Sequence, residues 1–242
     1  MKKILFSDID GTLVNGNQPI SSKDQEAIKK LREKGHYFSF CTGRNIQETK
    51  IITPYFEYDY LVLNNGAMIV DQQDQVLYRK QIKNEIAKEI LNESMRKYPY
   101  LNYTFFDGKQ TYGFINEKTC KLTKEGYQEI EGDFLDILNN TIEDIDIVCA
   151  FHPEEKLDEI KEIQQQINQK YTGIHATLNV VYLDITVDCT KGTGLQKLCS
   201  LFKEDVTSYC IGDSFNDLDM FKKANHAYTF NHVEKEIKEK TK

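Results

Sequence analysis

The first 70 residues combine short apolar runs with longer segments of mixed polarity. Three apolar runs predict β-strands, at residues 3–7, 36–41 and 60–63. Between them, residues 21–35 and 45–54 predict helices, and the second of these helices ends at Pro54. Strand–helix–strand repeats with short connections predict a parallel sheet that carries helices on its faces.

The middle of the chain has a different pattern. A hairpin of residues 67–70 and 75–78 ends the first region. Beyond it, amphipathic helices are predicted at 82–97 and 154–170, and strands at 100–106, 111–115, 145–151, 174–178 and 180–187. Residues 118–140 fit neither pattern well. The middle therefore predicts a separate α+β unit.

The last quarter of the chain returns to the first pattern. Helices are predicted at 191–202, 216–222 and 233–240, and strands at 208–211 and 227–230. We therefore predict one α/β domain, built from residues 1–80 and 186–242, with an α+β domain of residues 81–185 inserted into it. An insertion of about 100 residues is within the usual size of a domain.

Composition narrows the class of protein. The 242 residues include 31 Lys and Arg against 38 Asp and Glu, a net charge of −7 that argues against a nucleic-acid-binding surface. The six cysteines form no metal-binding or disulfide pattern, and Cys41, Cys149 and Cys210 lie in apolar runs that predict burial. No secretory signal or membrane-spanning run is recognisable. We expect a cytoplasmic protein that binds neither nucleic acid nor a membrane.

Four polar clusters follow predicted strands or begin the next helix. They are Asp8 with Asp10, Thr42-Gly43-Arg44, Lys191, and Gly212-Asp213. Ligands of an open parallel sheet bind at the carboxyl ends of its strands, so we expect these clusters to lie close together. Three aspartates are enough to hold Mg²⁺, which prefers oxygen ligands, and Lys191 and Thr42 supply donors for phosphate oxygens.

These clusters resemble motifs I to IV of the haloacid dehalogenase (HAD) superfamily. The four segments are Asp8-Ile9-Asp10-Gly11-Thr12-Leu13, Thr42-Gly43-Arg44, Lys191-Gly192, and Gly212-Asp213-Ser214-Phe215-Asn216-Asp217. Their order and spacing resemble the Cof-type branch, which has an α+β cap of type IIB between motifs II and III. The stretch Asn64-Asn65-Gly66-Ala67 is also similar to that branch. The resemblance implies a Rossmannoid three-layer core with a parallel sheet and an inserted cap.

The resemblance also implies a phosphatase mechanism. Asp8 would be the nucleophile that becomes an aspartyl phosphate, and Asp10 the general acid and base. The other roles implied are phosphate binding by Thr42, Gly43, Lys191 and Asn216, metal binding by Asp8, the Asp10 carbonyl and Asp213, and support by Asp217, Gly11 and Asn231. Asp217 would orient either Lys191 or a metal-bound water. The cofactor expected is Mg²⁺, and the substrate a small phosphate ester such as a sugar phosphate.

Several residues keep a second interpretation. Thr42 could cap the helix at 45–53, and Arg44 could meet a substrate or a carboxylate, or it could form a surface salt bridge. Asp184, Asp188 and Asp219 are predicted to be solvated charges. Two other functions also stay open. A phosphotransferase or mutase would pass the same aspartyl phosphate to a sugar, and a non-catalytic HAD-fold protein would bind without turnover.

Overall fold

The computed structural model describes residues 2–15, 18–54 and 56–241. The chain forms two compact units, one of Met1–Arg79 with Cys189–Lys242 and the other of Lys80–Asp188. The boundaries predicted from the sequence followed residues 80 and 185. None of the helices within the described ranges is long and apolar enough to cross a membrane.

The described residues of the first unit form seven strands and five α-helices. Its strands are β1 (Lys2–Ser7), β2 (Tyr37–Cys41), β3 (Tyr60–Leu63), β4 (Met68–Asp71), β5 (Val76–Arg79), β13 (Val206–Ile211) and β14 (His226–Tyr228). Its helices are α1 (Ser22–Glu33), α2 (Ile46–Ile52), α6 (Lys191–Leu201), α7 (Leu218–Lys223) and α8 (Lys235–Lys240). The strands form one sheet in the order β14-β13-β1-β2-β3-β4-β5. The first five strands of that order are parallel, and β4 and β5 add the predicted antiparallel hairpin.

Helices cover both faces of this sheet. Phe38 and Phe40 point to one face and pack with Ile28 of α1, while Ile4 and Phe6 point to the other and pack with residues of α6, α7 and α8. All four strand residues are completely buried, because a parallel sheet with helices on both faces leaves no exposed side. The predicted three-layer α/β core is therefore confirmed.

The second unit is an antiparallel sheet with helices. Its helices are α3 (Asn84–Lys97), α4 (Phe134–Asn140) and α5 (Asp158–Lys170). Its strands are β6 (Asn102–Phe106), β7 (Thr111–Ile115), β8 (Lys118–Thr123), β9 (Gly126–Glu129), β10 (Ile147–Phe151), β11 (Ile174–Asn179) and β12 (Tyr182–Val187). They pair antiparallel in the order β11-β12-β10-β6-β7-β8-β9. Apolar residues of all three helices pack in one core with β6, β10 and β12.

The structure resolves the ambiguous stretch 118–140 and corrects some boundaries. That stretch contains the hairpin β8–β9 and helix α4, whose amino end is capped by the Asp133 carboxylate. Helix α5 begins at Asp158 rather than at 154, because Glu155 has a positive φ of 57° that no α-helix contains. Helix α7 begins at Leu218 rather than at 216, after one 3₁₀ turn.

Two burial predictions in the second unit are wrong. Asp184 was expected to be solvated, but only 6% of it is exposed. Cys149 was expected to be buried, but it is half-buried and its thiol donates to the Asp184 carboxylate over 3.5 Å. Both residues lie on β-strands, and they occupy directly opposed positions of β10 and β12. A polar pair on one sheet face explains why the apolar pattern of the sequence misjudged both.

Candidate active site

Sheet register brings the predicted clusters to one edge of the first unit. Ser7 is opposite Ile211 on one side and Phe40 on the other, and Cys41 is opposite Val62. Asp8, Thr42 and Gly212 therefore leave the carboxyl ends of adjacent parallel strands. Lys191 joins them as the first residue of α6, which packs on the same sheet.

A glycine turn lets the segment after β1 approach the segment after β13. Gly11 has a φ of +82°, and a Cβ placed there would lie 2.2 Å from the Asp213 carboxylate. A side chain at position 11 would therefore displace Asp213. Thr12 donates through its hydroxyl to Asp213 Oδ1 over 2.6 Å and fixes that carboxylate beside the turn.

Lys191 is the centre of the buried cluster. Only 1% of the residue is exposed. Its Nζ lies 2.6 Å from Asp8 Oδ1, 2.7 Å from Asp217 Oδ1 and 3.2 Å from Asn216 Oδ1. These three contacts use the three donors of an ammonium group. A cation in the first turn of a helix opposes the helix dipole, so the carboxylates rather than the helix stabilise its charge.

Asp217 supports both the lysine and the loop that carries Asp213. Its second oxygen, Oδ2, accepts from the backbone N–H groups of Asp213 and Ser214, each over 3.0 Å. The residue is completely buried. The carboxylate of Asp217 thus contacts Lys191, one of the two partners predicted for it, and also this loop.

The cluster holds more negative than positive charge. Burial, reinforced by Asp217 and Asp213, raises the pKa of Asp8 to about 8 against the opposing effect of Lys191. Burial likewise raises the pKa of Asp213, and Asp217 adds to the effect. Burial alone would lower the pKa of Lys191, but Asp217 and Asp8 raise it above its usual value. The cluster thus contains one ammonium group and three carboxyl groups, two of which contact the ammonium.

This excess of carboxylates fits a divalent cation. Asp8, Asp213 and Asp217 each offer an oxygen, and these oxygens lie within 4.8 Å of one another. Hard cations such as Mg²⁺ bind carboxylate oxygens, and a positive ion would relieve their mutual repulsion. Both oxygens of Asp217 already accept hydrogen bonds, so Asp8 and Asp213 are the better metal ligands of the three.

Asn216 adds an unused donor next to the lysine. Its Oδ1 accepts from Lys191 and, over 2.6 Å, from the Ser214 hydroxyl. Its Nδ2 is buried and has no hydrogen-bond partner among the described residues. A buried amide N–H without a partner is costly, and an anionic ligand such as phosphate would satisfy it.

The segment after β2 contains Thr42, for which the sequence allowed a role as the cap of α2. Thr42 is buried, its N–H donates to the Val62 carbonyl, and its hydroxyl accepts from the Arg44 N–H. Thr42 does not cap α2. Asn45 is the cap instead, in a reciprocal pair with Glu48. Gly43 is buried between Thr42 and Arg44.

Arg44 contacts a site carboxylate. Its Nε and Nη2 donate to the two oxygens of Asp10 over 2.7 Å and 2.8 Å. Both side chains stay partly exposed, 34% for Arg44 and 43% for Asp10. The partner of Arg44 is therefore a carboxylate, that of Asp10, in a partly exposed pair.

The turn after β3 links the segment after β2 to α6. The N–H groups of Asn64 and Asn65 donate to the carbonyls of Arg44 and Thr42. Gly66 has a φ of +98°, and a Cβ there would lie 2.2 Å from the Thr190 carbonyl. Asn-Asn-Gly is a usable sequence signal for this turn, since all three residues have positive φ.

Two other predicted residues have different surroundings. Asn231 is exposed after β14, and its carbonyl accepts from the Lys238 ammonium. The hydrogen-bond partners of Lys191 are Asp8, Asn216 and Asp217, and Asn231 is not one of them. Asp219, expected to be a solvated charge, is a correction: its carboxylate accepts from the Thr190 hydroxyl at the amino end of α6 and pairs with Lys223.

Comparison with known proteins identifies related chains. The model of the haloacid dehalogenase-like hydrolases matches residues 5–242. A 5-amino-6-(5-phospho-D-ribitylamino)uracil phosphatase of Bacillus subtilis is 26% identical, with 99% of this chain and 91% of that protein aligned. An HMP-PP phosphatase of Klebsiella pneumoniae is 22% identical, with 98% and 87% aligned. A solved haloacid dehalogenase-like hydrolase of B. subtilis superimposes with a TM-score of 0.83 at 17% identity, with 98% of this chain and 92% of that one covered.

Proposed function

We propose that this chain, which belongs to the haloacid dehalogenase-like hydrolase family and is a phosphatase, cleaves small phosphate monoesters with Mg²⁺ through an aspartyl phosphate. One observation supports this most strongly. The buried Asp8 lies at the end of β1 with Lys191 on one oxygen, beside Asp213 and the unpartnered Nδ2 of Asn216. A carboxylate nucleophile, a cation and an unused donor are the groups that phosphoryl transfer needs.

In the first step a carboxylate oxygen of Asp8 bonds to phosphorus while the bond from phosphorus to the ester oxygen breaks. Asp10 gives its proton to the departing alcohol. The hydroxyl of Thr42, the backbone at Gly43 and the Nδ2 of Asn216 hold the phosphoryl oxygens, and the ammonium of Lys191 joins them by exchanging one of its three present contacts. These groups are fixed before the substrate arrives, and such positioning lowers the barrier more than any change in covalent chemistry.

In the second step Asp10 takes a proton from water, and the resulting hydroxide attacks phosphorus. The bond between phosphorus and Asp8 breaks, which releases phosphate and restores the carboxylate. Asp8, Asp213 and the Asp10 carbonyl would hold Mg²⁺. When bound, Mg²⁺ would neutralise charge on the phosphoryl group and on Asp8.

Fewer observations support the substrate class than support the reaction. The two curated relatives act, by their names, on a phosphorylated ribityl uracil and on HMP-PP, so we propose a small phosphorylated metabolite, with sugar phosphates to be tested first. The family resemblance assigns the choice of substrate to the inserted domain. That role, and the domain boundaries at 80/81 and 185/186, stay predictions. We also keep the proposal of a cytoplasmic location.

Phosphate release with and without metal tests the proposal. We expect release from p-nitrophenyl phosphate and from some of a panel of sugar phosphates with Mg²⁺, and a loss of about 10²-fold or more in EDTA. Restored activity on adding back Mg²⁺ is the control. Release that EDTA does not change would contradict the metal assignment.

The same assay separates the alternative functions. A phosphotransferase or mutase would release little phosphate until an acceptor sugar is added. A binding protein would release none, although it stays folded and binds the same compounds. Steady release from wild type without any acceptor supports hydrolysis over both.

A further inference from the structure

We infer that Arg44 is a positioning residue that fixes the Asp10 carboxylate for proton transfer to the leaving group. The inference rests on the proposed function, in which Asp10 is the acid and base. It adds a role for a side chain that, in that scheme, contacts neither phosphorus nor the metal.

The contact between Arg44 and Asp10 fixes the orientation of the carboxylate, which a simple pairing of opposite charges does not do. Nε and Nη2 of Arg44 donate side by side to Oδ2 and Oδ1 of Asp10, over 2.7 Å and 2.8 Å. A planar guanidinium that holds both oxygens fixes the plane of the carboxylate, which a lysine cannot do. Exposed ion pairs contribute little to stability, and here both partners are about one-third exposed or more. Stability alone is therefore a weak reason for the pair.

The main chain of Arg44 is anchored at both ends. Its N–H donates to the hydroxyl of Thr42 over 3.2 Å, and its carbonyl accepts from the N–H of Asn64 over 3.1 Å. The next residue, Asn45, caps α2. A cation in front of a helix amino end is disfavoured by the helix dipole, so the helix does not explain the arginine. The anchor instead connects Asp10 to the proposed phosphate-binding threonine.

Among the described residues, Arg44 is the cation that pairs with Asp10. The three donors of Lys191 are directed at Asp8, Asn216 and Asp217. The turn that begins at Gly11 fixes the backbone after Asp10, but it leaves rotation about the Asp10 side-chain bonds free. Within the described chain, Arg44 is thus the cationic group that sets the direction of the Asp10 oxygens.

The guanidinium occupies one side of the carboxylate and leaves a lone pair on each oxygen available on the other. Loss of Arg44 would let Asp10 rotate away from the ester oxygen. In the first step only substrates whose leaving group needs a proton would then react more slowly, whereas the second step, in which Asp10 takes a proton from water, would slow for every substrate. An alkoxide from a sugar needs that proton, whereas p-nitrophenolate is a stable anion that leaves without it.

The test compares two substrates in Arg44→Gln, Arg44→Lys and the control Arg32→Gln. Arg32 makes the same side-on contact with Asp59, over 3.1 Å and 3.2 Å, on α1 away from the Asp8–Lys191 cluster. With the best sugar phosphate of the panel, we expect Arg44→Gln to lower the single-turnover rate of Asp8 phosphorylation, measured by rapid acid quench, about 30- to 100-fold. With p-nitrophenyl phosphate we expect that rate to change less than about 3-fold, and KM for both substrates to stay within about 2-fold of wild type. Arg44→Lys should fall between wild type and Arg44→Gln, and Arg32→Gln should leave the ratio of the two substrates unchanged.

Three results would overturn the inference. An equal loss of the Asp8 phosphorylation rate with both substrates would mean that Arg44 acts on the phosphoryl group or on the fold. A higher KM with an unchanged phosphorylation rate would make it a substrate-binding residue, and no change at all would make it a surface ion pair. Failure of the proposed function would be seen separately, as a wild type without turnover or as an active Asp8→Asn variant.

Discussion

Asp8→Asn should lower kcat by about 10⁴-fold or more for every phosphate ester, while the protein stays folded. The carboxamide of asparagine is not a nucleophile, so the aspartyl phosphate cannot form, and loss of a nucleophile removes most of an enzyme's rate enhancement. The fold should survive, because asparagine has nearly the same volume and its carbonyl oxygen can still accept from Lys191. Phosphate release and a thermal unfolding curve, measured on the same preparation, check both parts.

Asp217→Asn is the matched variant for that experiment. It removes the other buried carboxylate on Lys191, but no atom that bonds to phosphorus in the proposed reaction. We expect measurable turnover from Asp217→Asn and none above background from Asp8→Asn. Equal residual rates in the two variants, or a folded Asp8→Asn protein close to the wild-type rate, would refute Asp8 as the nucleophile.

Lys191→Met should cause the largest loss of stability. The ammonium is almost completely buried and pairs with both Asp8 and Asp217. Methionine has a similar length and no charge, so two buried carboxylates would lose their partner, at a cost of about 3–5 kcal/mol of unfolding free energy. Turnover should fall as well, by about 10²- to 10³-fold, because a fixed donor to the phosphoryl oxygens is gone. Urea unfolding at constant pH measures the first effect.

Lys170→Met is the control for burial. Lys170 also meets two carboxylates, Glu89 over 2.8 Å and Glu93 over 2.7 Å, but it is 45% exposed. Water screens such a pair, so its loss should shift the unfolding midpoint far less. The double variant Lys191→Met/Asp217→Asn should recover part of the stability, since one uncompensated charge is removed. Similar losses in Lys191→Met and Lys170→Met would contradict the account of the cluster.

The elements that sequence predicted well are those with a strong local pattern. The runs that form β1, β2 and β3 are apolar on both faces, and such runs are typical of strands in a parallel sheet covered by helices. The clusters at residues 8, 42, 191 and 213 could be placed on one edge because parallel strands carry their carboxyl ends together. The family and the phosphatase class, which depend on those motifs, are confirmed by the comparisons.

Other features depend on contacts between distant residues. Nothing local shows that Arg44 would meet Asp10, 34 positions earlier, rather than a surface acid. Thr42 remained a possible cap of α2 because threonine is a good cap in isolation, whereas Asn45 with Glu48 satisfies two backbone groups at once. The unpartnered amide of Asn216 follows from packing around Lys191, which only the folded chain reveals.

The most direct test of the central claim is to find the phosphoryl group on Asp8 during turnover. Wild-type enzyme, mixed with substrate and Mg²⁺ and quenched in acid, should carry a phosphoryl group on the peptide that contains Asp8, as seen by mass spectrometry. The same peptide of Asp8→Asn should carry none. Turnover by wild type with a phosphoryl group on any other residue, or with none on the enzyme under conditions that trap a known aspartyl phosphate, would contradict the mechanism.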